Sequence, residues 1–178
     1  METPFDNNQV RPCKQIVANL LTDDFESILE VGCQWGENLV PIRERFPNKK
    51  IVGVDIDKPV LDEAVKKTGL DLRVGNLFDL GEEKYDVVFA EALFCMIEPN
   101  RVEDGLKELL RVARKKVILV ELETEKFVDR VPGGRTGANW IKLVGSYGLE
   151  VTRKKIQRED WDANPWIEHG YIYEILKH

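Results

Sequence analysis

Short apolar runs alternate with longer amphipathic stretches along the 178-residue chain, and this alternation limits the fold more than any other feature. Runs rich in β-branched residues, such as KIVGVD and KVILVE, predict strands, whereas stretches with one apolar face predict helices. Strands that are apolar throughout and separated by helices are typical of a parallel sheet covered on both faces. The pattern therefore predicts an α/β fold, a doubly wound three-layer sandwich.

The same pattern gives residue bounds for the elements. Helices are expected at 10–21, 38–46, 59–67, 101–114 and 139–147, and strands at 27–31, 50–55, 71–74, 85–90, 116–121, 149–157 and 170–176. The last two strands, with only a loop between them, should pair antiparallel at the sheet edge. Length and the 43% hydrophobic content predict a single domain over residues 1–178, with 1–24 as an N-terminal helical segment and candidate lid.

Composition narrows the classes of function. The 26 basic and 32 acidic residues give a net charge of −6, which provides no general attraction to nucleic acid or to an anionic membrane. The sequence has neither a long apolar span nor a secretory signal pattern, and its three cysteines are widely spaced, so we expect a cytoplasmic protein without membrane association. Two histidines and no close cysteine pair predict no metal site.

The segment ILEVGCQWGENL (28–39) places an acid and two glycines where the first strand should become a helix. In an open parallel sheet, ligands bind beyond the carboxyl ends of the strands. A dinucleotide fingerprint needs a glycine two positions after the first, and Gln34 stands there instead. Glu30 would also repel a phosphate, since like charges about 4 Å apart lose roughly 4 kcal/mol at an effective dielectric near 20. The turn therefore favours a cationic ligand.

EVGCQWG (30–36) resembles the motif E/D-x-G-x-G-x-G of the class I S-adenosylmethionine-dependent methyltransferases, except at its middle glycine. The resemblance covers about residues 25–122 and includes GVDID, VGNLFD and YDVVFAEALF at the next strand ends. It implies a Rossmann-like, seven-stranded, mostly parallel sheet with an antiparallel last strand. It also implies S-adenosyl-L-methionine as cofactor and S-adenosyl-L-homocysteine as product. This cofactor carries a sulfonium and an ammonium but no phosphate, which suits an acid at the turn.

The resemblance further implies roles for residues at the strand ends. Asp55 would accept hydrogen bonds from both ribose hydroxyls, and Ile56 would pack against the adenine. Asn76 would meet the adenine amine, and Glu91 would line the end of the site where the methionine and the substrate lie. The candidate cofactor-binding residues are Glu30, Gly32, Gly36, Asp55, Ile56, Asn76, Leu77, Ala90 and Glu91.

Several of these residues have a structural alternative. Glu30 could cap the following helix, and Asp55 could simply begin a turn. Asn76 follows a glycine, a pairing that is also ordinary turn chemistry. Glu91 could belong to a solvated loop. These alternatives stay open at the level of sequence.

Three loops should reach the cofactor from the ligand side of the sheet: 92–100, 123–138 and 158–168. In the second loop, Arg130 and Arg135 could hold an anionic group on the substrate. In the third, Trp161 and Trp166 could stack on a sugar or ring, or they could cover the sheet edge. Without an appended recognition domain, a small molecule or a sugar-containing metabolite is the expected substrate. A homodimer or a partner protein stays open.

Methyl transfer from a sulfonium mainly requires alignment of the nucleophile and exclusion of water. The sequence shows no acid–base pair, so the catalytic residue is unknown, and only His169 and Glu91 are candidates for a base. The expected function is an S-adenosylmethionine-dependent methyltransferase that acts on an oxygen or nitrogen nucleophile. The alternatives are a noncatalytic S-adenosylmethionine-binding partner subunit and an NAD(P)-dependent oxidoreductase.

Overall fold

The computed structural model describes residues 11–161 and 163–177. Its strands are β1 (Ser27–Val31), β2 (Lys50–Asp55), β3 (Asp71–Val74), β4 (Tyr85–Glu91), β5 (Ala113–Leu122), β6 (Val128–Arg130), β7 (Thr136–Ala138), β8 (Glu150–Lys155) and β9 (Gly170–Leu176). The α-helices are α1 (Ile16–Leu20), α2 (Leu39–Arg45), α3 (Lys58–Thr68), α4 (Val102–Val112), α5 (Trp140–Gly145) and α6 (Trp166–His169). Short 3-10 turns lie at Pro12–Gln15, Phe94–Met96 and Pro99–Arg101.

Seven strands form one sheet in the order β3-β2-β1-β4-β5-β9-β8. Neighbours from β3 to β5 pair in parallel, whereas β9 pairs antiparallel with both β5 and β8. This confirms the predicted α/β class and the mostly parallel sheet with an antiparallel last strand. The strand order reverses between β1 and β4, which is the point where an open α/β sheet binds its ligand.

The structure corrects the sequence prediction at three places. The helix expected at 10–21 is a 3-10 turn followed by α1, and Val10 lies outside the described residues. The loop 123–138 contains the hairpin β6–β7. The loop between the last two strands ends in the short helix α6. Elements this short carry too little periodicity for a sequence pattern to reveal them.

The central strands β1 and β4 are buried along their whole length, which explains their largely apolar sequences, whereas the edge strands β3 and β8 are mostly exposed and polar. One core cluster includes Phe25, Leu39 and Phe89, and the other includes Leu106 and Trp140. Side chains of β4 enter the two clusters alternately, as expected from the period of two along a strand. Within the described ranges, every helix is too short or too polar to cross a membrane.

Gly53 lies in β2 at a point of close packing beneath the first turn. A Cβ added there would lie 2.7 Å from Sγ of Cys33 and 2.8 Å from Cδ2 of Leu72. We therefore expect Gly53→Ala to lower the free energy of unfolding by roughly 1–3 kcal/mol, because the turn and the sheet must move apart. Gly145→Ala is the control, since its Cβ would meet no atom within 4 Å. Urea unfolding measures both, and equal losses would contradict this account.

Candidate functional site

A crevice of about 710 Å³ opens at the carboxyl ends of β1, β2 and β4, where the strand order reverses. Its walls come from the turn after β1, the end of β2, the segments 75–78 and 91–97, and Trp161. Arg11 and Lys14 add side chains from the N-terminal 3-10 turn and the residue before it. The fold thus brings together the strand ends that the sequence predicted as a ligand site.

The turn after β1 is tight because its backbone adopts left-handed conformations. The φ angles of Gly32 and Gln34 are 81° and 46°. The backbone amides of Gly32 and Cys33 both donate to the carbonyl of Val54, at 2.8 and 3.1 Å. A left-handed conformation costs a residue with a Cβ about 1 kcal/mol or more, so glycine is the usual solution at such a position. Gln34 therefore keeps the backbone geometry of the motif although the glycine is absent.

Glu30 is buried at the base of the crevice, with 1% of its surface exposed. Its Oε1 accepts a hydrogen bond from Nδ2 of Asn38 at 2.5 Å. Burial raises the pKa of Glu30 to about 8, although this hydrogen bond and the charge of Lys14 favour the ionised form. Oε2 of Glu30 and Oδ1 of Asn38 have no hydrogen-bond partner in the described part of the chain. Glu30 therefore faces the ligand site and does not cap α2.

Asp55 ends β2 and lines the same crevice as Glu30. Its Oδ2 accepts from the backbone amide of Gln34 at 2.9 Å, and its Oδ1 from that of Asp57 at 3.0 Å. Each carboxylate oxygen keeps a further lone pair for a ligand hydroxyl. Beside it, the apolar side chain of Ile56 is 72% exposed, which suits contact with a flat apolar ring.

The remaining candidate cofactor residues divide into two groups. Asn76 and Leu77 line the crevice, and Oδ1 of Asn76 also accepts from the amide of Phe78 at 3.0 Å, so its turn role is present as well. Gly36 and Ala90 do not line the crevice, and their contact with a cofactor stays a prediction. Gly36 shapes the turn with a φ of 72°, and Ala90 points into the core because alternate side chains of β4 face opposite sides.

Glu91 ends β4 and is buried, not part of a solvated loop. Its Oε1 accepts from Nζ of Lys14 at 2.5 Å, whereas its Oε2 has no partner within the described ranges. Burial raises the pKa of Glu91 although the charge of Lys14 favours its ionised form. Burial disfavours the charged form of Lys14, but the neighbouring acids, Glu91 above all and also Glu30, together raise the pKa of Lys14. Sequence reasoning missed Lys14, because a lone lysine in an N-terminal segment carries no signal.

A third glutamate, Glu121 of β5, is fully buried beside the crevice wall. It accepts hydrogen bonds from the backbone amides of Leu93, Phe94 and Cys95, at 2.7, 2.8 and 3.2 Å. Burial raises its pKa to about 8, although these amides favour the ionised form. Glu121 thereby fixes a segment that lines the crevice. In the sequence, the sign of this role is an acid at the end of the apolar run KVILVE.

The two candidate tryptophans have different roles. Trp161 lines the crevice, and its ring stacks on that of Trp166 with centroids 4.0 Å apart and planes 10° apart. Trp166 is 5% exposed and belongs to the core, so its ring supports that of Trp161, and its predicted contact with a substrate stays untested. His169 does not line the crevice, and its Nε2 lies 3.8 Å from a carboxylate oxygen of Glu168. The role of His169 as a base stays a prediction that the crevice lining does not support.

The two candidate arginines also differ, although neither lines the crevice directly. Arg130 donates to Oε2 of Glu98 at 2.6 Å and to Oγ1 of Thr136 at 3.1 Å, so its guanidinium is already occupied. Arg135 donates to the sulfur of Met96 at 3.4 Å. Met96 lines the crevice and is 69% exposed. The same nitrogen of Arg135 donates to Sγ of Cys95 at 3.6 Å, so Arg135 lies at the rim, next to a crevice residue, with two weak sulfur acceptors.

A family model described as "Methyltransferase domain" matches residues 28–116, which is half of the 178 residues. The matched region begins in β1 and ends in β5, and so it contains the glycine turn and the ends of β2 and β4. The chain belongs to this family, the class I S-adenosylmethionine-dependent methyltransferases that its glycine motif resembles.

Two curated relatives that the chain resembles are also named as methyltransferases. The chain is 26% identical over 120 residues to trans-aconitate 2-methyltransferase of Rhodopseudomonas palustris, which covers 66% of this chain and 46% of that protein. It is 38% identical over 90 residues to malonyl-[acyl-carrier protein] O-methyltransferase 1 of Ilyobacter polytropus, covering 47% of this chain and 34% of that protein. The chain thus spans less than half the length of these relatives.

A solved structure with the same fold is magnesium protoporphyrin IX methyltransferase from Synechocystis PCC 6803 with bound SAH (S-adenosylhomocysteine). The TM-score is 0.72 at 17% identity, over 100% of this chain and 90% of that chain. At this identity, the likeness concerns the fold alone.

The raised pKa values of the buried glutamates predict how the stability of the fold depends on pH. Glu30 and Glu121 have pKa values of about 8 in the folded chain, raised from 4.5, so between these values the folded state binds more protons than the unfolded state. The free energy of unfolding should therefore fall as pH rises from about 5 to 8. Denaturant unfolding across this range, without ligand, measures the slope. Glu30→Gln and Glu121→Gln should each make it shallower.

The control for this measurement is Glu82→Gln, because the side chain of Glu82 is 99% exposed. It should leave the slope as it is in the unchanged chain. A slope that is the same in all four proteins, or that rises with pH, would contradict the assignment of Glu30 and Glu121.

Proposed function

We propose that the chain is an S-adenosylmethionine-dependent methyltransferase that acts on an oxygen or nitrogen of a small anionic molecule. The observation that carries the proposal is that Glu30, beside the glycine turn, and Asp55, at the end of β2, line one crevice. Both acids stand where the family motif has them, in a chain that belongs to the family.

The buried polar atoms of the crevice fit the methionine part of this cofactor. Among the described residues, Oε2 of Glu30, Oδ1 of Asn38 and Oε2 of Glu91 are buried acceptors without a partner. A buried acceptor that stays unpaired is costly, and more so if it is charged. The ammonium group of the cofactor has three N–H donors and a positive charge, which match these acceptors. A dinucleotide would instead bring phosphate charge to the same acids, which argues against the oxidoreductase.

The other lining residues would bind the adenosine part of the cofactor. Asp55 would hold the ribose hydroxyls, Ile56 and Leu77 would pack against the adenine, and Asn76 would lie at its edge. When bound, the cofactor supplies a methyl group activated by a positively charged sulfur. The chain itself then has to orient the acceptor and keep water away.

The acceptor end of the crevice supports an anionic small molecule. Met96, Ile97 and Trp161 provide apolar walls, and Arg135 lies beside Met96. A guanidinium at the rim of such a pocket suits a carboxylate, which it can bind with two parallel hydrogen bonds. Two relatives are named for trans-aconitate and for malonyl-acyl-carrier protein, and both of these compounds carry carboxylates.

A carboxylate acceptor also fits the acid–base groups of the crevice. A carboxylate has a pKa near 4 and is ionised at neutral pH, so no base has to remove a proton from it. Of the two base candidates, Glu91 is paired with Lys14 and His169 lies outside the crevice. Oxygen of a carboxylate is therefore the acceptor atom that we favour.

Replacement of Asp55 tests the cofactor assignment. Asp55→Asn should weaken binding of S-adenosylhomocysteine by roughly 1–3 kcal/mol, because charge-assisted hydrogen bonds to the ribose are lost. Isothermal titration calorimetry measures the affinity. Asp104→Asn is the matched control, since Asp104 lies on the exposed side of α4, and it should bind normally. An unchanged affinity in Asp55→Asn would remove this residue from the site, and binding of NAD in place of S-adenosylhomocysteine would favour the oxidoreductase.

Transfer of a labelled methyl group tests the activity and the acceptor class. Incubation of the protein with methyl-labelled S-adenosylmethionine and a panel of small di- and tricarboxylates should label at least one member. Arg135→Met should raise KM for that acceptor more than it lowers kcat, because it removes ground-state binding. Arg130→Met is the matched control, with its guanidinium already bound to Glu98, and should change KM less. Labelling of uncharged compounds alone would contradict the anionic acceptor, and no labelling at all would favour the noncatalytic subunit.

A further inference from the structure

Lys14 is a cation inside the crevice that the family motif does not account for. It lies in the 3-10 turn Pro12–Gln15, and its side chain is 15% exposed. Its Nζ donates to Glu91 at 2.5 Å and lies 5.9 Å from the ring centroid of Trp161. Lys14 thus connects the N-terminal turn, the end of β4 and the wall formed by Trp161.

Lys14 is a largely buried cation in a crevice whose other charged side chains are mostly acidic. Glu30, Asp55 and Glu91 line it as three carboxylates. Arg11 also lines it, but its guanidinium is 60% exposed and donates to both carboxylate oxygens of Glu37, at 3.0 and 2.8 Å. Lys14 is therefore the buried cation of this site within residues 11–161 and 163–177. Its described hydrogen bond uses one of the three N–H donors of the ammonium group.

The amino-acid part of the proposed cofactor carries an ammonium and a carboxylate on one carbon atom. The ammonium suits the unpartnered oxygens of Glu30 and Glu91. The carboxylate is then brought close to the same two acids, which repel it unless a cation stands beside them. Lys14 already stands there, because it is bonded to the other oxygen of Glu91.

We infer that Lys14 binds the carboxylate of the methionine part of S-adenosylmethionine and that Glu91 positions Lys14 for this contact. The inference rests on the proposed function. It makes the N-terminal turn part of the cofactor site and a determinant of cofactor specificity. Ligands with the intact amino acid are selected over nucleosides that lack it.

An alternative role for Lys14 would have the opposite effect on cofactor binding when Lys14 is replaced. Its ammonium could stand in for the ammonium of the cofactor and leave when the cofactor binds. The geometry argues against this role, since Lys14 occupies one oxygen of Glu91 and leaves three buried acceptors of the crevice unpartnered. The site thus has room for a second ammonium beside that of Lys14. If Lys14 had to leave, its removal would tighten cofactor binding. If Lys14 binds the cofactor carboxylate, its removal would weaken cofactor binding.

Calorimetry with two ligands tests the inference without any need for activity. S-adenosylhomocysteine has the amino-acid carboxylate, whereas 5′-methylthioadenosine keeps the adenine, ribose and thioether but lacks the amino acid. Lys14→Met should weaken binding of S-adenosylhomocysteine by about tenfold to a hundredfold and leave 5′-methylthioadenosine unchanged. Lys14→Arg should restore most of the loss. Lys66→Met on α3, which replaces an exposed lysine paired with Glu63, is the control and should bind both ligands normally.

A second variant covers the case that Lys14→Met leaves the buried Glu91 charge uncompensated and fails to fold. The double replacement Lys14→Met with Glu91→Gln removes both charges, and its thermal unfolding confirms that it is folded. Because Glu91→Gln alone also removes an acceptor of the ammonium, the double variant is compared with Glu91→Gln and should bind S-adenosylhomocysteine more weakly than that single variant. Unchanged or tighter binding of S-adenosylhomocysteine in the folded variants overturns the inference alone. Equal losses for both ligands also overturn it, because they indicate a general change of the site. If the unchanged protein binds neither ligand, the proposed function falls together with this inference.

Discussion

Burial of three glutamates at the carboxyl ends of three neighbouring strands is the constraint on which the rest of the structure depends. Glu30, Glu91 and Glu121 belong to β1, β4 and β5, and none is more than 6% exposed. A buried carboxylate must be hydrogen-bonded, paired or protonated. Glu121 is fully satisfied by three backbone amides, whereas Glu30 and Glu91 each keep one oxygen without a partner in the described residues. This difference separates a structural acid from two acids that line the crevice.

The structural acid and the glycine turn are connected through the crevice wall. Glu121 fixes the backbone at residues 93–95, and this places the side chain of Leu93 against the turn after β1. A Cβ on Gly32 would lie 2.9 Å from Cδ1 of Leu93, closer than two carbon atoms pack. The φ of 81° favours glycine at position 32, and a larger residue there would also have to displace the side chain of Leu93. The acid in β5 and the glycine after β1 therefore shape one side of the site together.

Local patterns predicted the sheet and the acids of β1 and β2, because an apolar run that ends in an acid is visible in the sequence. The role of Lys14 depends on a contact between distant residues, since Lys14 and Glu91 are 77 positions apart. The acid Glu121 is visible at the end of an apolar run, but the amides that it holds, 26 to 28 positions away, are not.

Under the proposed function, charge and apolar surface have separate tasks in the crevice. The acids Glu30 and Glu91 favour a cation, whereas Arg135 at the rim favours an anion, so the two ligands are oriented by opposite charges. An ionised acceptor is already a nucleophile, and what the chain must add is alignment and exclusion of water. Apolar residues of the same crevice, Met96 and Trp161 among them, are suited to this task. Since Trp161 is backed by the buried ring of Trp166, the wall that excludes water is anchored in the core of the fold.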